Sequence, residues 1–125
     1  MTDKIRMGAL SGRRLLVVED RYLVASELEA QLCAYGAEVL GPCASLEAAL
    51  AVVDQADGAV LDVDLWGQAA YPLAERLSGR NRAFVFLTGY DVEDRPQKWA
   101  DVAWLQKPCD PYDVVAALAT ALDRA

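Results

Sequence analysis

Gly58-Ala59-Val60-Leu61-Asp62-Val63-Asp64-Leu65 is the stretch that decides how the rest of this sequence is read. Small and apolar residues run without interruption into Asp62, one valine follows, and a second carboxylate arrives at Asp64. This is the pattern of a buried strand whose C-terminal tip presents acid groups to solvent. A carboxylate in that place serves as a ligand, as a nucleophile or simply as a turn residue. The choice between these depends on what the other strand ends carry.

Four further strands follow from the same kind of pattern. On the N-terminal side, RRLLVVED gives an apolar run, Leu15 to Val18, that stops at Glu19 and Asp20, a second strand ending in acid. Ala37 to Gly41 is a brief strand closed by Gly41-Pro42, Ala83 to Leu87 a strand finishing at Thr88-Gly89-Tyr90, and Ala103 to Gln106 a strand ended by Lys107-Pro108. Helical spacing fills the intervals. Val24, Leu28, Leu32 and Tyr35 share one stripe, stopped by Gly36. Ala49, Val52, Val53 and Ala56 share another, capped by Ser45 and ending near Asp57-Gly58. After a loop from Trp66 to Ala69, Ala70, Leu73, Ala74 and Leu77 repeat the spacing, with Pro72 tolerable only in the first turn. Asp110 and Pro111 open a last helix carrying Val115, Leu118, Ala119 and Leu122. Asp91 to Trp99, broken by Pro96, predicts only a marginal, mobile helix. Met1 to Gly12 has no periodicity and reads as a short mobile tail, leaving residues 13–125 as the domain.

Strand and helix thus alternate five times, which predicts a parallel sheet covered on both faces by helices. Right-handed crossovers bring all the strand C-termini to one edge, where such sheets bind their ligands. The groups that meet there are Glu19 and Asp20, Asp62 and Asp64, Thr88, and Lys107. Each alone has an ordinary reading as a loop or turn residue; all of them being polar in a compatible chemistry is harder to attribute to accident. Carboxylates crowded together repel one another, and a hard divalent cation relieves this; an all-oxygen site of carboxylates, a backbone carbonyl and waters suits Mg²⁺. With a lysine and a hydroxyl opposite the metal, the set is complete for forming and holding an aspartyl phosphate on Asp62.

Composition limits the alternatives. The chain has 125 residues, 54% of them hydrophobic and 25% charged, enough for one globular domain with a single core. A net charge of -7 matches a phosphate backbone poorly, so no direct nucleic-acid binding is expected. The sequence contains no histidine, which excludes histidine acid–base catalysis, histidine metal ligation and a phosphohistidine donor role. Cys33, Cys43 and Cys109 fit neither a disulfide framework nor a metal site and point to a reducing compartment. No apolar run reaches the roughly 18 residues that span a bilayer. A cytoplasmic protein without membrane association is expected.

LLVVED, LDVDL, FLTGY and QKP, in this order over Leu15 to Leu122, resemble the receiver domain of bacterial two-component response regulators. The resemblance implies a flavodoxin-like (βα)5 fold with strand order 2-1-3-4-5. It also implies a phosphoacceptor role for Asp62, supplied by a sensor histidine kinase or a phosphotransfer protein, with a downstream protein partner reading the result. Mg²⁺ would be held by Asp20 and Asp62, by the Asp64 backbone carbonyl, and by Glu19 through water; Thr88 would hydrogen-bond the phosphoryl oxygen and Lys107 would pair with it. The protein would act as a self-phosphorylating acceptor that later loses its phosphate, not as a turnover enzyme. RAFVFLTGY, Arg82 to Tyr90, is similar to the receiver subgroup with a PFxFATGY-like fourth strand, whose members are often stand-alone receivers partnered with kinases of the HWE or a related class. It departs from that pattern at Arg82-Ala83, in place of Pro-Phe, and at Leu87, in place of alanine. Cys109 stands where receivers usually have phenylalanine, predicting looser packing below the site. Trp104 stands where many have a switching Tyr or Phe, and reads equally as a partly exposed strand residue.

Two other readings use the same residues. The Asp-x-Asp pair with Thr88 and Lys107 is similar to haloacid-dehalogenase-type phosphohydrolases, although the acid pair Glu19-Asp20 precedes the nucleophile strand and the chain has no room for a substrate cap. A phosphorylation-independent docking module would leave the full set of acids without a use.

Overall fold

The computed structural model describes residues 5–65, 67–89, 93 and 95–124. A five-stranded parallel sheet forms its centre, with β1 (Arg14–Val18), β2 (Glu38–Cys43), β3 (Gly58–Asp62), β6 (Ala83–Thr88) and β7 (Ala103–Gln106) in the order β2-β1-β3-β6-β7. Two short strands, β4 (Asp64–Leu65) and β5 (Gln68–Ala69), form a separate antiparallel pair. With those two set aside, the order is the expected 2-1-3-4-5 of a flavodoxin-like sheet. Each strand's residues alternate between the two faces, and both faces are covered, so β3 and β6 are buried along their whole length.

On one face Leu15, Val17, Val60, Val85 and Leu87 meet α1 (Tyr22–Ala34) through Leu28 and Leu32, and α4 (Pro111–Arg124) through Val115, Leu118 and Leu122. On the other, Leu16, Val18, Ala59, Leu61, Phe84 and Phe86 meet α2 (Leu46–Leu50) and α3 (Tyr71–Gly79), the latter through Leu73, Ala74 and Leu77. The stripe expected for the third helix is buried; of that expected for the last, Val115, Leu118 and Leu122 are buried and Ala119 is half-buried, while Val114, outside the stripe, is buried as well. Ser45 caps α2 by accepting the Ala48 N–H at 3.1 Å.

Several local expectations are corrected. The part of the N-terminal tail within the described residues is packed, not mobile: Leu10 is fully buried, its N–H donates to the Tyr35 carbonyl at 3.0 Å, and the Ile5 N–H donates to Tyr112 Oη at 3.0 Å. Gly36 makes this docking possible, because it sits at φ +100° and a β-carbon there would fall 2.5 Å from Ser11 Oγ. β2 runs on through Gly41-Pro42 to Cys43, with a register irregularity opposite Leu16–Val18. The second helix stops at Leu50, and Val53–Gln55 forms a 3₁₀ turn. The loop expected over Trp66 to Ala69 contains β5, although Trp66 itself lies outside the described residues. Between β6 and β7 the described residues hold a 3₁₀ turn, Gln97–Trp99, with Trp99 buried, so that end of the segment expected to be mobile is anchored. The expectations for Tyr90 to Val92 and for Asp94 lie outside the described residues. Among the described residues no helix is long and apolar enough to cross a membrane.

Candidate functional site

β1, β3, β6 and β7 end side by side, and their C-terminal groups converge as parallel topology requires. Glu19 and Asp62 are almost wholly buried, at 2% and 3% exposure. Between them lies the Lys107 ammonium, 2.9 Å from Glu19 Oε2, 3.2 Å from Glu19 Oε1 and 3.1 Å from Asp62 Oδ2. Backbone pairing fixes each partner. The Lys107 N–H donates to the Thr88 carbonyl at 2.7 Å, continuing the β6–β7 ladder past Gln106 and setting the lysine over the β3 tip. The Val63 N–H donates to the Leu87 carbonyl at 2.9 Å, and the Glu19 N–H to the Cys43 carbonyl at 3.0 Å. Thr88 is buried at the end of β6, one residue beyond the β3 contact at Asp62–Leu87.

Oxygen atoms of Glu19, Asp20 and Asp62 lie within 4.8 Å of one another. Asp64 is not part of that carboxylate group. Its N–H donates to Asp62 Oδ1 at 3.2 Å, and its own Oδ1 accepts the Gly67 N–H at 2.9 Å, so the side chain closes the turn of the β4–β5 hairpin. The expectation for Asp64 concerned its backbone carbonyl alone. Glu19 was expected to act through water. Its direct pairing with Lys107, and the Arg21 N–H that donates to its Oε1 at 3.1 Å, were missed. The sequence signal for the pairing is the co-location of two strand ends of opposite charge.

The electrostatics follow from burial. Desolvation, and after it the charge of Glu19, pushes the Asp62 carboxyl up to about 7, against the pull of Lys107 and the Asp64 N–H. Burial by itself would lower Lys107, but its hydrogen bond to Glu19, reinforced by the charges of Asp62 and Glu19, outweighs that and holds it above its ordinary value. The Lys107 ammonium thus pairs with two of the three clustered carboxyl groups, Glu19 and Asp62. A clustered, all-oxygen donor set fits a hard divalent ion such as Mg²⁺, with Glu19, Asp20 and Asp62 as the residues able to hold it.

The neighbouring aromatic position, Trp104, is half-buried. Trp104 Nε1–H donates to the Trp99 carbonyl at 2.8 Å, and its indole lies over Phe86 with ring centres 4.4 Å apart. Cys109 lines a cavity of ≈ 340 Å³ between α1 and the start of α4, together with Val24, Leu28 and Pro108, and with Lys107 at its edge.

No protein-family model matches this sequence, and no curated protein matches it. Solved structures do. SdrG from Sphingomonas melonis Fr1 is 37% identical, with 93% of this chain and 98% of that one covered at a TM-score of 0.76. The signal receiver domain of a modulated diguanylate cyclase from Desulfovibrio desulfuricans G20 is 29% identical, with 90% and 94% covered at 0.76. The response regulator PhyR from Brucella abortus shares the fold at 24% identity and a TM-score of 0.78, and this chain spans 50% of it. An acid cluster and a lysine at the strand ends of a 2-1-3-4-5 sheet, on a chain this similar to those proteins, lead to one assignment: the chain belongs to the response regulator receiver family.

Proposed function

We propose that this receiver accepts a phosphoryl group on Asp62 from a phosphohistidine of a sensor kinase, of the HWE or a related class, or of a phosphotransfer protein. The observation that carries the reading is the Lys107 ammonium held between Glu19 and Asp62, 3.1 Å from the Asp62 oxygen. An Asp62 oxygen attacks phosphorus, a P–O bond forms, the P–N bond to the donor imidazole breaks, and that nitrogen leaves with the bonding pair. Lys107 moves from the Asp62 carboxylate to the phosphoryl oxygens, a short shift because Glu19 holds the ammonium from the other side. The Thr88 hydroxyl donates to a second phosphoryl oxygen. Mg²⁺ bound by Glu19, Asp20, Asp62 and the Asp64 backbone carbonyl would neutralise charge on the incoming group. Water attack on phosphorus, or return to a histidine, clears the site. The signal leaves through the surface between Thr88 and Lys107, read by a downstream protein.

Borohydride reduction after incubation with Mg²⁺ and acetyl phosphate tests this. An acyl phosphate at Asp62 is reduced to homoserine at that position, found by peptide mass. Reduction at another carboxylate, or steady turnover of p-nitrophenyl phosphate in its place, contradicts the reading, and the second result would favour a phosphohydrolase.

A further inference from the structure

We propose that the open groove at the N-terminal edge of the sheet, remote from the acid cluster, docks an acidic segment of a partner protein that carries apolar side chains between its carboxylates. The inference goes beyond the phosphoacceptor reading and stands without it. The groove has a volume of ≈ 540 Å³ and lies between the start of β6, the 3₁₀ turn before β7 and the last turn of α4. Its floor is the half-buried Val102 and the outer edges of Phe84 and Trp99, rings set edge to face at 5.8 Å and each less than a tenth exposed. Its rim carries Arg82, Lys98 and Arg124, and no described residue of the lining is acidic.

Charge decides the occupant. The chain as a whole carries -7, so an acidic partner is repelled from most of the surface and admitted where cations alone line a depression. Two of the rim cations already have acidic neighbours, Arg82 with Asp57 at 3.7 Å and Lys98 with Glu75, but surface pairs of this kind are weak enough for a bound carboxylate to compete for the cation. Lys98 also lies 5.2 Å from the centre of the Trp99 ring, so its charge stands directly beside the apolar floor. A nucleic acid would meet three cations against the repulsion of the whole chain, and binding to a phosphate backbone scales with the number of charges neutralised. A small inorganic anion would leave the floor uncovered. A peptide that alternates carboxylates with aliphatic side chains uses both rim and floor.

The test is fluorescence anisotropy of the full chain with a fluorescein-labelled peptide alternating glutamate and leucine, beside the same peptide with glutamine for glutamate. The glutamate peptide is expected to bind at least tenfold tighter at low salt, to weaken as salt rises, and to shift the Trp99 indole N–H resonance. Lys98→Glu and Arg124→Glu are each expected to weaken it several-fold with circular dichroism unchanged; if either disturbs folding, Lys98→Gln or Arg124→Gln takes its place. Equal affinity for the two peptides, undiminished binding by folded variants, or binding without a Trp99 shift overturns the proposal.

Discussion

Asp62 is the residue on which the site depends, and its environment makes a prediction about pH. Its carboxyl sits near 7 in the folded protein against 3.8 for the free group, so the folded state holds this proton more tightly than the unfolded state does. Stability from this group is fully present below about pH 4 and is lost as pH rises toward 7, where the buried carboxylate must ionise beside Glu19. Asp62→Asn removes that ionisation and keeps the shape. In EDTA at pH 8 the variant should unfold with a gain on the order of 2 kcal/mol over the parent, and the difference should shrink by pH 5, as measured by urea titration. A variant no more stable than the parent at pH 8 would refute the charge crowding. At this scale the sequence was legible in part. Polar residues at four strand ends pointed to Glu19, Asp20, Asp62, Thr88 and Lys107, and topology brings them together. The direct grip of Glu19 on Lys107 was not legible, because strand order says which ends are neighbours and not how far a lysine reaches across them.

Elements with strong periodicity were the readable ones. The stripe Ala70, Leu73, Ala74 and Leu77 is the buried face of α3, and β3 and β6 are the continuous apolar runs that a sheet covered on both faces requires. Elements that owe their place to a single tertiary contact were not readable. Leu10 lies among turn residues with no periodic neighbour, yet the docking of that segment on Tyr35 and Gly36 buries it completely. The same holds for Trp99, whose buried ring against Phe84 and Phe86 anchors a turn that Pro96 made look loose. Leu10→Ala should therefore cost about 2–5 kcal/mol in urea unfolding, the range for a fully buried leucine. A loss under about 0.5 kcal/mol, usual for an exposed position, would restore the view of a free tail.

The molecule as a whole separates its chemistry by sheet edge. Parallel strands with right-handed crossovers gather the acids and Lys107 at one edge and leave the basic groove around Phe84 and Trp99 at the other. Alternation of strand and helix was enough to foresee the architecture, because both faces of each central strand needed covering. The β4–β5 hairpin was not foreseen, since pairs of two residues leave no period to detect. Phosphate uptake by Asp62 can be read from the intact mass of the protein after incubation with Mg²⁺ and acetyl phosphate, with Asp62→Asn run in parallel. The parent is expected to gain one phosphoryl group, released again by hydroxylamine, and the variant none. An equal gain by both proteins, or no gain by the parent with this donor or with phosphoramidate, would contradict uptake at Asp62.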